Sequence, residues 1–184
     1  MKANFQNGDI IQKKGVKSMD AIFNRTSVRR YKQKSLKKEE IDLILKAAFS
    51  APSARNSQPW QFIVVENKET LKDLSEMTPY ASFLKDAAMG MIVCADKNKN
   101  DSLDYCQQDL AAATENMLIE AKSLGIGSCW LGVYPNEERY LAINQYFKLP
   151  KGIVPMWMIS FGYIDQEEVV KDKFDGSKVH YEKY

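Results

Sequence analysis

Histidine and cysteine are scarce in this chain. His180, near the C-terminal end, is the single histidine of the 184 residues, and the cysteines are three, Cys94, Cys106 and Cys129. One histidine excludes a histidine-rich metal centre, and a Ser-His-Asp triad would have to recruit it without the G-x-S-x-G elbow that usually carries the serine. Three widely spaced cysteines with no C-x-x-C pair exclude a disulfide scaffold and a zinc ribbon, and they suit a reducing compartment. A dinucleotide turn is missing too. The nearest candidate, Gly125-Ile126-Gly127, has Trp130 where the third glycine of G-x-G-x-x-G must stand, and there is no Walker loop. No apolar run approaches the ~20 residues that span a bilayer. The first residues, MKANFQNGDIIQKKG, lack the continuous apolar stretch of a secretory signal. The expected location is cytoplasmic, which leaves the Asn24-Arg25-Thr26 sequon without an expected modification. Internal repeats and low-complexity blocks are also absent.

What remains is the composition of one soluble globular domain, 45% hydrophobic and 27% charged. The net charge of +2 hides an asymmetry. Residues 1–40 hold 11 Lys and Arg against 4 Asp and Glu, while residues 41–184 hold 15 against 20. A basic end on an acidic body fits a nucleic-acid arm or an anion site built into the fold. Residues 1–18 are polar and Lys-rich and read as a flexible N-terminal extension, so that the domain spans 19–184.

Along the chain, Met19–Asn24 reads as a short helical turn. Ser35 is the expected cap of a helix with Glu39 and Glu40 in its first turn, Ile41, Ile44, Leu45 and Ala48 on one face, and Pro52 beyond its end. Residues 60–65 read as a buried strand. A short helix is expected over Thr70–Met77, and Thr78-Pro79 signals the start of another. Met89–Ala95 is a second strand. Ser102–Leu124 is a long helix of about 34 Å, apolar over much of its circumference and therefore buried in a core or a subunit interface, with Gly125 as its terminator. Ser128–Tyr134 is a third strand, Asn136 caps a helix running to Phe147, and Ile153–Phe161 is a fourth strand in which Pro155 marks an edge or a bulge. Strands separated by helices define an α/β or α+β sandwich around one sheet.

Four segments can carry chemistry. Arg25-Thr26-Ser27-Val28-Arg29 offers two guanidiniums and hydroxyls suited to a phosphate, although a solvated charge run reads the same way. Ala51–Trp60 holds Pro52 and Pro59 around Ser53, Asn56 and Gln58, a rigid loop able to read the edge of a heterocycle or to serve only as a turn. In Gly125-Ile126-Gly127-Ser128-Cys129-Trp130-Leu131-Gly132-Val133, Gly125 is explained by a helix end. Gly132 is explained better by close approach of backbone to a ligand. The last segment is Lys171-Asp172-Lys173 with the terminal His180-Tyr181-Glu182-Lys183-Tyr184.

The order and spacing of Arg25-x-Ser27-x-Arg29-x-Tyr31, PSARNSQPWQF at 52–62 and GIGSCWLG at 125–132 resemble the FMN-dependent nitroreductase family over Met19–Tyr184. The resemblance implies a mostly antiparallel central sheet flanked by helices, in an intertwined homodimer with FMN in two interface clefts, each lined by both chains. It implies that Arg25, Ser27 and Arg29 hold the phosphate and ribityl chain, with Thr26 among them and Lys173 adding a phosphate contact. Pro52, Ser53, Asn56 and Gln58 would lie against the isoalloxazine and ribityl oxygens, and the backbone of Leu131, Gly132 and Val133 against the N5 and O4 edge. The long helix would be the dimer core.

Thr26, where many members have arginine, and Lys173, where arginine is common, imply a weaker grip on the cofactor. The short turn Lys97–Asp101 implies an open pocket. The implied activity is hydride transfer from NAD(P)H through flavin to a nitroaromatic, a quinone or a similar acceptor, ping-pong, with no catalytic side chain and no metal. The alternative within the same fold is a flavin-binding protein with another flavin reaction, such as dehalogenation or flavin fragmentation, or with no reductase turnover.

Overall fold

The computed structural model describes residues 17–184. The expected extension over residues 1–18 therefore lies outside the described residues as far as residue 16, and its last two residues belong to the first helix, α1 (Lys17–Asn24). There follow α2 (Lys38–Phe49), β1 (Trp60–Val65), α3 (Lys68–Glu76), β2 (Met89–Asp96), α4 (Leu103–Ser123), β3 (Ile126–Gly132), α5 (Glu137–Phe147) and β4 (Ile153–Tyr163). Short 3-10 helices occupy Ala54–Asn56, Ser82–Asp86 and Gly176–Lys178. The four strands form one antiparallel sheet in the order β1-β2-β4-β3.

The sheet is central because its inner strands are apolar on both faces. Every residue of β2 is buried, and its side chains divide by parity, as the pleat requires. Met91, Val93 and Ala95 join the core under α2 and α4. Ile92 and Cys94 join the core on the other face with Leu71 and Leu74 of α3 and Ile143 of α5. The Leu110, Met117 and Leu118 side chains of α4 are buried against the first face, each worth about 1.5–3 kcal/mol. Burial on α4 is a stripe, not a full circumference: Asp104, Tyr105 and Glu115 are exposed.

Several local expectations are corrected. Ser35 does not cap α2. The helix starts at Lys38, because the Glu40 carboxylate reaches back to accept the Lys37 N–H at 2.8 Å, half of a capping-box arrangement that supplies its own start. Thr78-Pro79 opens a turn, closed by Ala81 N–H donating to Thr78 O at 3.1 Å. Only the short 3-10 helix Ser82–Asp86 follows before β2 begins at Met89. Strand β3 starts at Ile126, two residues before the expected Ser128, directly after Gly125 reverses the chain at φ +75°. Of the two readings of Pro155, an edge or a bulge, the bulge holds. Strand β4 is central, and Pro155 sits at a bulge where Val93 pairs with Trp157, Cys94 pairs with Pro155 and Met156 is left over. Both Met156 and Trp157 consequently turn toward α4.

Candidate functional site

The segment after α1 is laid along the outer edge of β3. Val28 N–H donates to Ser128 O at 2.9 Å, and Ser27 bridges Ser128 in parallel. Val28 and Tyr31 are buried, while Ser27, Arg29 and Arg30 are exposed. The fit depends on two glycines paired across β3 and β4, Gly127 and Gly162. A Cβ on Gly127 would stand 2.7 Å from Val28 Cβ, and one on Gly162 would stand 2.8 Å from the Tyr31 ring. Neither separation is tolerable for carbon, so the basic segment lies this close only because both side chains are missing.

Burial pushes the Cys129 thiol of β3 up, opposed by the Arg29 charge, the Ser27 hydroxyl and the Arg25 charge. Arg25 Nε also stands 3.6 Å from Glu115 Oε1. The Arg29 and Arg30 N–H groups both donate to Gln166 Oε1, at 2.8 and 3.1 Å, and the Arg29 guanidinium lies 5.8 Å from the Phe83 ring centroid. Thr26 is engaged within the chain. Its hydroxyl donates to Glu168 Oε1 at 2.7 Å, while Lys122 Nζ donates to Glu168 Oε2 at 2.6 Å.

Farther along the same edge, the backbone of β3 is turned outward. Ser128 faces away from β4, and Trp130 and Gly132 share its parity, so their N–H groups face away from the sheet. Leu131 and Val133 are buried, and the Val133 N–H faces the sheet, donating to Met156 O at 3.3 Å. A Cβ at Gly132 would meet nothing within 4 Å, so this glycine borders open space. Arg139 of α5 donates from Nη1 to Gly132 O at 3.4 Å, and its guanidinium lies 5.3 Å from the Tyr80 ring centroid.

The Pro52–Pro59 loop is organised by its own polar groups. Ser53 Oγ accepts the Gln58 N–H, and Gln58 Nε2 donates to Asn56 Oδ1, both at 3.0 Å. Arg55, Asn56 and Gln58 take left-handed backbone angles, φ 55°, 53° and 47°. Such angles cost non-glycine residues free energy and cluster where a loop is shaped for a ligand. Pro52 is exposed at its entrance.

This loop and the basic segment are not neighbours within one chain. The loop precedes β1 at one edge of the sheet, and Arg25–Arg29 flank β3 at the other, three strand spacings or about 14 Å away. On α4 the loop is held at Asp109, whereas Thr26 is tied through Glu168 to Lys122, about 20 Å farther along the helix axis. Lys173 is exposed on the C-terminal segment, with no hydrogen bond or ion pair to Arg25, Ser27 or Arg29 among the described residues. Two surface clefts, of about 410 Å³ beside Lys68 and Lys85 and about 320 Å³ beside Asn116, include none of the candidate residues.

Sequence reading passes over Asp109, Arg139 and the Thr26–Glu168–Lys122 cluster. For Asp109 the signal was present: it is spaced by four from Ala113 and by eight from Met117, which places a carboxylate on the buried face of α4. The cluster spans 142 residues of chain, and local pattern cannot reveal it.

Comparison with known proteins assigns the fold to a family. The model of the nitroreductase family matches residues 22–78 and 75–163. A protein named as a candidate NADH dehydrogenase/NAD(P)H nitroreductase in Archaeoglobus fulgidus is 44% identical over 167 residues, 89% of this chain and 96% of that one. The crystal structure of a candidate NADH oxidase from Clostridium acetobutylicum superposes with a TM-score of 0.87 at 44% identity, covering 90% of this chain and 100% of that one. An FMN-dependent nitroreductase from Clostridium difficile R20291 superposes with a TM-score of 0.84 at 34% identity, covering 90% and 99%. The chain belongs to the nitroreductase family. Its architecture is the nitroreductase-like fold, an antiparallel sheet flanked by helices, and its activity class is that of the family's flavin oxidoreductases. Among the described residues no helix is long and apolar enough to cross a membrane.

Proposed function

We propose that this protein is an FMN-dependent NAD(P)H oxidoreductase acting as a homodimer. The observation that carries the reading is the outer edge of β3, where Arg25, Ser27 and Arg29 gather at one end and an outward-facing Gly132 N–H stands at the other. The residues fit the cofactor. Two guanidiniums and a hydroxyl match a phosphate dianion, and the open space beside Gly132 admits a flat ring against backbone donors. Arg25, Ser27 and Arg29 bind the phosphate, and the Gly132 N–H donates to the ring edge. Ser53, Asn56 and Gln58 supply hydroxyl and amide partners, Pro52 holds their loop at its entrance, and Lys173 adds a cation.

The opposite placement of the two clusters supports the dimer. An isologous pair related by a two-fold axis across α4 sets the Ser53–Gln58 loop of one protomer over the Arg25–Arg29 segment of the other. Exposed apolar residues on the elements such a pair would cover, Ile22, Phe23, Phe49 and Phe174, are then buried. When bound, FMN supplies the hydride chemistry, accepting from NAD(P)H and delivering to a nitroaromatic, a quinone or a similar small acceptor. The protein's part is to bind, orient and polarise. The Gly132 N–H and the nearby Arg139 charge favour added negative charge on the ring, and no side chain is required as an acid or base.

The test is steady-state turnover of FMN-loaded protein with NADH or NADPH varied against a quinone at several fixed concentrations. Parallel double-reciprocal lines support the ping-pong reading, and converging lines or no turnover oppose it.

A further inference from the structure

Asp109 is the one acidic residue buried on α4, within the apolar stripe of Cys106, Leu110, Ala113 and Met117. It is 6% exposed. One carboxylate oxygen, Oδ1, accepts the backbone N–H of Ala54 at 2.9 Å, a contact across 55 residues. The other, Oδ2, is buried without a hydrogen-bond partner among the described residues. For the core alone this is a poor choice. An unpaired buried carboxylate oxygen is costly, and an alanine would suit the stripe better. What Asp109 supplies is an anchor outside the core. Ala54 immediately precedes the left-handed residues Arg55 and Asn56, and it lies between Ser53 and Gln58, whose mutual hydrogen bond closes the loop. A charge-assisted bond at that point holds a backbone that would otherwise relax.

We propose that Asp109 is a positioning residue for the cofactor loop: its Oδ1 fixes the Ala54 N–H and so holds Ser53, Asn56 and Gln58 in the arrangement that receives FMN. This rests on the FMN reading above. The residue acts through the loop and touches no reacting atom. A purely structural role makes the reverse prediction, a loss of fold stability with FMN affinity unchanged in whatever protein folds.

The experiment compares the full-length protein with Asp109→Ala and Asp109→Asn. FMN affinity is measured by fluorescence titration, the Ala54 amide by hydrogen exchange, and the cofactor-free thermal midpoint by circular dichroism. Asp109→Ala is expected to weaken FMN about 10- to 100-fold and to speed exchange at Ala54 while the thermal midpoint holds or rises. Asp109→Asn keeps an Oδ1 acceptor and is expected to stay within about threefold of the native affinity. The proposal is overturned if Asp109→Ala binds FMN as the native chain does, if it fails to fold, or if Asp109→Asn loses FMN to the same degree. Should the native chain bind no FMN, the cofactor reading fails first. The anchoring claim is then decided by the Ala54 amide, with unchanged exchange in Asp109→Ala overturning it.

Discussion

The buried Tyr31 hydroxyl stands 2.6 Å from Ser160 Oγ and 2.5 Å from the Val28 carbonyl oxygen, so one side chain ties the basic segment to the middle of β4. Burial, opposed by the Ser160 hydrogen bond, pushes its pKa well above the ordinary tyrosine value, and the hydroxyl stays protonated as a donor. Tyr31→Phe leaves two buried oxygens short of a partner at a cost of about 1–3 kcal/mol. A lower urea midpoint with unchanged slope is the expected result. Weaker FMN binding should accompany it, because Arg29 lies between the two tethers of the segment.

Arg29→Ala should separate phosphate recognition from ring recognition. Removing one guanidinium from a phosphate contact costs about 1.5–3 kcal/mol, so FMN affinity is expected to fall about 10- to 100-fold. Riboflavin, which has no phosphate, should bind the variant and the native chain alike. Parallel fluorescence titrations with the two flavins make the comparison. Equal losses for both would place Arg29 elsewhere than at the phosphate.

A cleft built from two chains predicts complementation. Arg29→Ala and Asn56→Ala protomers each damage both clefts of their own dimer, but a mixed dimer contains one cleft with neither change. Unfolding and refolding the two variants together in equal amounts should restore about a quarter of the native NADH turnover, through random pairing. Each variant refolded alone should stay low. Absence of recovery in verified mixed dimers would place both residues in a cleft of one chain.

Glu168 gives a pH dependence with a definite sign. Burial alone pushes its carboxyl up, but hydrogen bonds from Lys122 and Thr26 with the Lys122 charge outweigh that and hold it below the ordinary glutamate value. A depressed folded-state pKa contributes stability that is present above the unfolded value and lost as pH falls through the folded one. The native chain should therefore exceed Glu168→Gln in urea midpoint at neutral pH, with the difference closing in acid below the carboxylate range.

Much of the fold was legible because its signals are local. The cap at Asn136, accepting from Arg139 N–H at 3.0 Å, and the Gly125 reversal lie where the residue types place them. Helix starts failed where a side chain three residues inside competed with the obvious cap, as Glu40 does with Ser35. Pro155 pointed to an edge or a bulge, and the bulge is what the structure shows, because a missing donor excludes a regular ladder and not a bulge in a central strand. Gly132 was expected at a close approach of backbone to a ligand, and the structure shows it beside open space. The polar motifs at 52–59 and 25–29 stand out in the sequence, but nothing local shows how they lie relative to each other. Their separation across the sheet depends on strand order, which no stretch of sequence encodes by itself. Asp109 and Glu168 act on partners 55 and 142 residues away, beyond any pattern of spacing.

The most direct measurement is anaerobic reduction. Protein loaded with FMN and freed of excess flavin is mixed with NADH or NADPH in the absence of oxygen, and the visible flavin absorbance is followed. Bleaching by at least one of the two nucleotides is expected, with recovery of colour when a quinone is added. Protein that holds FMN but stays oxidised with both nucleotides would contradict the proposed activity.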